Sequence, residues 1–234
     1  MIAIYKREMT SYFTTPIGYV FVAIFLAISG ALFAATTLFE MTNETGQYFS
    51  YMLFMYVLLV PLLTMKSFSE ERKTRTEQLL LTAPVSLVGM VMAKFLAAMT
   101  LFVGCQGLGA LALFILGRYS AVKVGVVLAS VLGLLLVGMA FITVGLFVSA
   151  LTENQLAAAV GTVGILLAFL LISFVNQYIN VYWIRFVLNC LSMWSRFQNF
   201  LQGTLDLAAI FYYLSVAAVF LFLTVRIYDK RRYN

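Results

Sequence analysis

The chain has 234 residues, of which 63% are hydrophobic and only 10% are charged. A soluble domain usually carries about 25% charged residues, so this composition excludes a soluble globular protein and predicts a polytopic membrane protein. The formal net charge of +6 does not indicate a nucleic-acid partner, because the basic residues flank apolar runs instead of clustering on one domain.

The first 17 residues predict a short amphipathic helix that lies in the membrane interface. Apolar side chains recur there at steps of three and four residues, with charged and hydroxyl-bearing residues between them. A frayed tail of the first membrane span is the alternative interpretation. The residues that define the predicted helix, and the turn from it into the membrane, are Ile2, Tyr5, Lys6, Arg7, Met9, Tyr12 and Pro16.

Six apolar runs predict six transmembrane helices and an all-α fold. About 20 consecutive apolar residues cross a bilayer as a helix. The second run is short, and the fourth is long enough to require tilt or protrusion. The predicted spans are residues 18–38, 51–65, 95–116, 124–151, 156–175 and 207–225.

A polar island separates the second and third predicted spans. Six charged residues fall within one run of eight. Ser67 and Glu70 have capping-box spacing, which predicts a helix that starts near Ser67. Pro84 predicts its end, and Ser86 is placed to cap the following helix. We expect residues 66–87 to form a rod that transmits force from a soluble motor; a solvated loop is the alternative.

The basic residues are divided unequally between the two sides of the predicted membrane. Lys and Arg concentrate on the cytoplasmic side of membrane proteins. Both termini and the polar island are therefore predicted to be cytoplasmic, in a multi-pass protein of the plasma membrane. The richer side carries Lys6, Arg7, Lys66, Arg72, Lys73, Arg75, Lys94, Arg226, Lys230, Arg231 and Arg232, and the poorer side Arg118, Lys123, Arg185 and Arg196.

The connection over residues 176–206 is too long for a simple turn and too apolar for a solvated loop. Its aromatic residues are interleaved with Asn and Ser, and aromatic residues of this kind sit at the level of lipid headgroups. Half-helices that re-enter the outer leaflet and an ordinary interfacial helix both fit this pattern.

Several function classes are disfavoured by residues that the spans lack. No predicted span centre holds an ionisable residue, and Lys94 is expected at a span edge, where its side chain can snorkel. Ion-coupled carriers need such residues within the membrane. Histidine is absent, so an intramembrane protease and a metal site are also disfavoured. We interpret the Ser and Thr residues of the spans as groups that support helix packing, in preference to a lining for a substrate path.

The chain has no Walker A sequence, so any ATP must be hydrolysed by another chain. We therefore predict that the protein is not an enzyme on its own. It is expected to hold no cofactor itself.

The polar island resembles the cytoplasmic segment of type-2 ABC-exporter permeases. The similar runs are Glu-Glu-Arg-Lys at 70–73 with Thr76, and Leu-Leu-Leu-Thr-Ala-Pro-Val-Ser at 79–86. The turn Tyr-Phe-Thr-Thr-Pro-Ile-Gly-Tyr at 12–19 is similar to that of the gliding-motility-type branch of the family. The family pattern often has glycine where this chain has Arg75.

This resemblance implies a half-transporter, a single transmembrane permease domain over residues 1–234 that pairs with a second copy or a paralogue. An ABC ATPase subunit would carry ATP and Mg²⁺ and dock under residues 69–84. The lipid bilayer and an extracellular auxiliary protein are the other expected partners. The residues implied in docking are Glu70, Glu71, Arg72, Lys73, Arg75, Thr76 and Glu77, with support from Leu79, Leu80, Leu81 and Pro84.

Two functions are compatible with this interpretation. The leading one is the permease subunit of an ATP-driven exporter. The other is a mechanotransmitting subunit that couples an ATPase to an extracellular partner and moves no solute.

Overall fold

The structure is a computed structural model that describes residues 1–39, 45–78, 86–119, 123–176, 183, 185, 188–189 and 192–233. Within these residues all regular secondary structure is helical. Six helices are long and apolar enough to cross a membrane. The predicted all-α polytopic fold is therefore confirmed.

Nine α-helices with ranges of their own lie within the described residues. Six of them contain the membrane-length segments, namely the second, third, fifth, sixth, seventh and ninth. A π-helical turn over Ala34–Leu38 continues α2. The helices are α1 (Ile2–Thr14), α2 (Pro16–Phe33), α3 (Gly46–Thr64), α4 (Ser69–Lys73), α5 (Leu87–Tyr119), α6 (Val124–Leu151), α7 (Gln155–Val175), α8 (Met193–Leu201) and α9 (Leu207–Tyr233).

Two spans begin five or more residues earlier than the sequence predicted. Helix α3 begins at Gly46 instead of residue 51, and α5 begins at Leu87 instead of residue 95. Polar residues interrupt both apolar runs, but their side chains bond inside the protein. Ser50 Oγ donates to a carbonyl of its own helix, and Lys94 lies in an ion cluster described below. The prediction that Ser86 caps α5 is confirmed, because Ser86 Oγ accepts the backbone N–H of Gly89 at 3.2 Å.

Helix α6 is the centre of the bundle and packs against α3, α5, α7, α8 and α9. Its glycines admit side chains from these neighbours. A Cβ at Gly138 would lie 2.2 Å from the ring of Phe102 on α5. A Cβ at Gly145 would lie 2.2 Å from Oγ1 of Thr64 on α3. Close packing of this kind stabilises helix association in membranes.

The polar side chains of the spans bond within the chain. Ser130 Oγ, for example, donates to the carbonyl of Phe200 on α8 at 3.2 Å. Thr143 and Thr162 donate to carbonyls of their own helices. The interpretation of these residues as packing groups agrees with these bonds, since a side chain that already has a partner gains little by facing a substrate.

Helix α8 packs against α3, α6 and α7 at the end of the bundle where α6 begins. Its buried side chains are Met193, Phe197 and Phe200. Ser192 caps the helix by accepting the N–H of Ser195 at 3.3 Å, and Tyr213 Oη donates to the carbonyl of Met193 at 2.7 Å. Much of the connection over 176–206 lies outside the described residues, and its depth in the bilayer stays a prediction.

Candidate functional site

Five parts of the chain meet at one end of the bundle, which we call the charged end. They are α1, residues 65–78, the first turns of α5, and the last turns of α6 and α9. Direct bonds join them: Arg7 contacts Glu71 and Arg231 contacts Glu77 at 3.0 Å. The basic residues that the sequence assigned to one side of the membrane therefore belong to elements that gather at one end of the molecule.

A serine from the central helix holds the start of α4. Ser149 Oγ accepts the backbone N–H groups of Phe68 at 3.1 Å and Ser69 at 3.2 Å, and donates to the carbonyl of Met65 at 3.1 Å. The predicted capping box is wrong, because α4 begins at Ser69 and makes no side-chain cap of its own. Ser67 Oγ is buried without a hydrogen-bond partner among the residues that the structure describes. A side chain from α6 thus performs the capping that the local spacing assigned to Ser67.

Helix α4 ends in a left-handed residue. Arg75 has φ of 57°, and its N–H donates to the carbonyl of Arg72 at 3.1 Å. A left-handed residue after the last helical turn is a common helix end, usually occupied by glycine. Within the described residues, a turn over residues 74–76 therefore interrupts the segment, so it is not a continuous rod from Ser67 onward.

An ion cluster around the buried Lys94 joins α1, α4 and α5. Lys94 Nζ lies 3.0 Å from Glu8 Oε1 and 3.0 Å from Glu71 Oε1, and it donates to the carbonyl of Ser67 at 2.6 Å. Arg7 Nη2 contacts the same two carboxylates. Two bases thus neutralise two acids, as burial of charge requires.

The prediction that the Lys94 side chain snorkels to water is wrong. Its side chain is 1% exposed, because α5 begins two turns before this residue and packs against α1. For Arg7, desolvation by burial lowers the pKa, but the hydrogen bonds and charges of Glu8 and Glu71 outweigh it, and the pKa is raised. Arg7 therefore remains charged.

Two arginines bind the carboxyl end of the central helix. Arg72 Nη1 donates to the carbonyl of Leu151 at 2.8 Å. Arg231 Nη2, from α9, donates to the carbonyl of Ala150 at 2.7 Å, while its Nη1 contacts Glu77. Cations stabilise helix carboxyl ends by bonding free carbonyls and by opposing the helix dipole. The end of α6 is therefore tied to both the polar island and α9.

Helix α1 is fixed to the spans by its tyrosines. Tyr5 Oη lies 3.0 Å from Oγ1 of Thr100 on α5. Tyr12 is buried, and its Oη donates to the carbonyl of Leu63 on α3 at 3.3 Å. Lys6 is exposed. The helix thus has one side on the bundle and one side away from it. Ile2, which the periodicity placed on the apolar side, is exposed, and Ile4 is buried in its place; the position of the helix in the membrane interface stays a prediction.

The turn from α1 into the first span needs a residue without a side chain. Pro16 is the first residue of α2, where its missing N–H and fixed φ are well tolerated. A Cβ at Gly18 would lie 2.1 Å from the backbone oxygen of Tyr12. Because that atom belongs to backbone, it cannot move aside easily, and Gly18 permits the close approach of α1 and α2.

The chain was compared with models of protein families. The model of the family described as ABC-2 family transporter protein matches residues 33–227. The chain belongs to this family. It is therefore the membrane permease subunit of an ABC transporter, which works with an ABC ATPase subunit and is not itself the ATPase. Comparison with curated proteins gave no match.

The match begins after α1 and after the turn at Pro16. The resemblance to the gliding-motility-type branch depends largely on that turn, so the branch stays a prediction. Of the charged end, residues 65–78 and the adjoining turns of α5 and α6 lie inside the matched range, whereas α1 and Arg231 lie outside it.

The docking residues of this ABC-2 permease, as predicted from the sequence, divide into an outer and an inner group. The inner group is only partly exposed and makes the bonds given above; Arg72 also contacts Glu153 at 2.9 Å. Leu79, Leu80, Leu81 and Pro84 lie outside the described residues. The outer, exposed group is Glu70, Lys73, Arg75 and Thr76, and the inner group is Glu71, Arg72 and Glu77.

Sequence reasoning missed four residues of the site, namely Glu8, Lys94, Ser149 and Arg231. A signal existed for Lys94, since an ionisable residue next to an apolar run indicates a paired or functional group. The other three gave no local signal, because each acts on a residue far away in the sequence.

Proposed function

We propose that this permease belongs to an ATP-driven exporter of the plasma membrane and pairs with a second copy or a paralogue. ATP and Mg²⁺ are held by the separate ATPase subunit. The observation that carries the proposal is the division of the polar island, whose outer residues are exposed while its inner residues are bonded to the membrane helices.

This division is expected of a coupling element that receives force from an ATPase on one side and transmits it to the membrane helices on the other. The outer residues of α4 offer charges to an ATPase. The inner residues Glu71 and Arg72 bond to α1, α5 and α6. A displacement of α4 therefore acts on these helices directly, with no flexible linker between them.

The orientation of the chain follows from charge. Lys and Arg concentrate on the cytoplasmic side of membrane proteins. The charged end collects most of the basic residues, so we place it in the cytoplasm together with both termini. An ATPase subunit that uses cellular ATP would meet α4 there.

A mechanotransmitting subunit is the second candidate, and one observation favours it. The polar side chains of the spans bond within the chain, and the central helix is closely packed against five neighbours. A subunit of this kind could relay motion to an extracellular auxiliary protein at the end that carries α8. An export path would instead form between two permeases.

The test is purification of the full chain from its source membranes, with mass spectrometry of the proteins that accompany it and an ATPase assay of the preparation. The informative variant is Lys73→Glu with Arg75→Glu, because both side chains are exposed and neither neutralises a buried partner. Lys123→Glu, an exposed cation at the other end of the bundle, is the matched control. Reversal of Glu71 or Arg72 is less useful, since it would also break internal ion pairs.

We expect the ATPase to accompany the wild-type protein and the Lys123 variant and to be lost from the double variant. Equal ATPase recovery from all three preparations would refute docking at α4. The two candidate functions differ in the complete complex. With cysteines placed on exposed span faces, ATP-dependent labelling by a membrane-impermeant maleimide indicates a transport path, and its absence favours mechanical transmission.

A further inference from the structure

A cavity of about 490 Å³ lies at the charged end between α1, the start of α2 and the polar island. Its lining includes Thr15 and Ile17, beside the first residue of α2, and Lys66, which follows the end of α3. Because these helices are membrane-length segments, the cavity lies where the spans end, at the level of lipid headgroups. Its volume falls within the range of small-molecule sites, about 300–1,000 Å³.

The charges of the lining sum to zero. Four of them already neutralise each other in the ion cluster around Lys94. The remaining two, Lys66 and Glu70, form a loose pair with Nζ and Oε2 3.8 Å apart and side chains 28% and 48% exposed. Such a pair contributes little stability, so each group can exchange its partner for a ligand. The charged lining residues are Arg7, Glu8, Lys66, Glu70, Glu71 and Lys94.

We propose that this cavity binds the zwitterionic phosphoethanolamine headgroup of an aminophospholipid. The phosphate lies on Lys66 and on Arg7, whose ion pairs within the described structure use only Nη2. The primary ammonium lies on the Glu70 carboxylate. Hydroxyl groups surround these charges and supply further hydrogen bonds, from Ser11, Thr15, Thr74 and Thr76.

The lining discriminates among headgroups. An anionic lipid would bring an extra negative charge to a surface whose charges already sum to zero. A choline headgroup is typically held by an aromatic cage, whereas the aromatic side chain in the described lining is Tyr12, which is buried against α3. The primary ammonium, which donates three hydrogen bonds, suits a wall of carboxylate and hydroxyl oxygens.

The test is native mass spectrometry of the isolated permease with equal amounts of phosphatidylethanolamine, phosphatidylcholine and phosphatidylglycerol that share the same acyl chains. We expect phosphatidylethanolamine to be retained preferentially. Lys66→Met and Glu70→Gln should each reduce its retention about tenfold, which corresponds to loss of about 1.4 kcal/mol. Lys230→Met, an exposed cation at the same end that does not line the cavity, should retain the lipid as the wild type does.

Loss of lipid in these variants would not be due to unfolding. The Lys66–Glu70 pair is partly exposed, so its removal should leave the thermal midpoint unchanged. Equal retention of the three lipids, or full retention in both cavity variants, would show an unspecific lipid shell and overturn the proposal. Displacement by soluble glycerophosphoethanolamine at a concentration equal to that of the lipid would overturn a membrane lipid as the occupant. Since no ATPase is present, the result is independent of docking at α4.

Discussion

Replacement of Lys94 by Met should destabilise the permease more than removal of any exposed cation. The side chain is 1% exposed and pairs with two carboxylates that are themselves only 13% and 16% exposed. Removing one partner of a buried ion pair costs about 3–5 kcal/mol. Arg7 remains beside both carboxylates and some water reaches them, so we expect about 2–3 kcal/mol, below that range.

For chains of about 150–250 residues, 1 kcal/mol shifts the thermal midpoint by roughly 2–4 °C. Lys94→Met should therefore lower the midpoint by about 4–12 °C, measured on the purified protein in detergent by fluorescence-detected size-exclusion chromatography after heating. Lys230→Met, an exposed control, should show no measurable shift.

A second substitution separates charge from packing. Glu8→Gln removes one of the carboxylates that Lys94 neutralises, so Lys94→Met with Glu8→Gln should recover part of the lost stability. A midpoint for Lys94→Met equal to that of the control would refute the reasoning from the ion cluster. A double variant less stable than Lys94→Met would show that the loss arises from packing and not from unpaired charge.

Three further substitutions test individual contacts. Ser149→Ala leaves the N–H groups of Phe68 and Ser69 without their partner and should cost about 2–3 kcal/mol; a thermal midpoint equal to that of the wild type would contradict this. Arg75→Gly should be more stable than Arg75→Ala by about 1 kcal/mol, because glycine adopts the left-handed backbone without steric cost, and denaturation midpoints that rank the other way would exclude this conformation. Gly18→Ala should loosen α1 and speed its cleavage by a protease, whereas Gly30→Ala, where a Cβ meets nothing within 4 Å, should not; equal cleavage rates would disprove the close approach.

The six spans could be predicted from the sequence because their signal is local. A run of apolar residues long enough to cross a bilayer needs no knowledge of its neighbours. The cap at Ser86 could be predicted for the same reason, since its bond reaches only to Gly89. The tyrosines of α1 repeat at helical spacing, but the spacing did not show that they pack on the bundle, because that contact depends on Thr100 and Leu63 from other helices.

The candidate site was less predictable because its bonds join distant parts of the chain. Lys94 and Glu8 are 86 positions apart, and nothing in either local pattern points to the other. Hydropathy placed Lys94 at the edge of a span with its ammonium in water, whereas its ion pairs allow the ammonium to be buried within the protein. At α4 the local capping signal of Ser67 was overruled by Ser149, which reaches the same backbone groups from another helix.

The bond between Arg231 and Glu77 has a consequence for biogenesis. The two residues are 154 positions apart, and Arg231 follows the sixth span. During synthesis the polar island leaves the ribosome long before this anchor exists. Its inner side can therefore reach its final arrangement only after the last span has been inserted. An ATPase that requires this arrangement would engage finished permeases and ignore partly inserted ones, so the contact would also serve as a check on the completion of the chain.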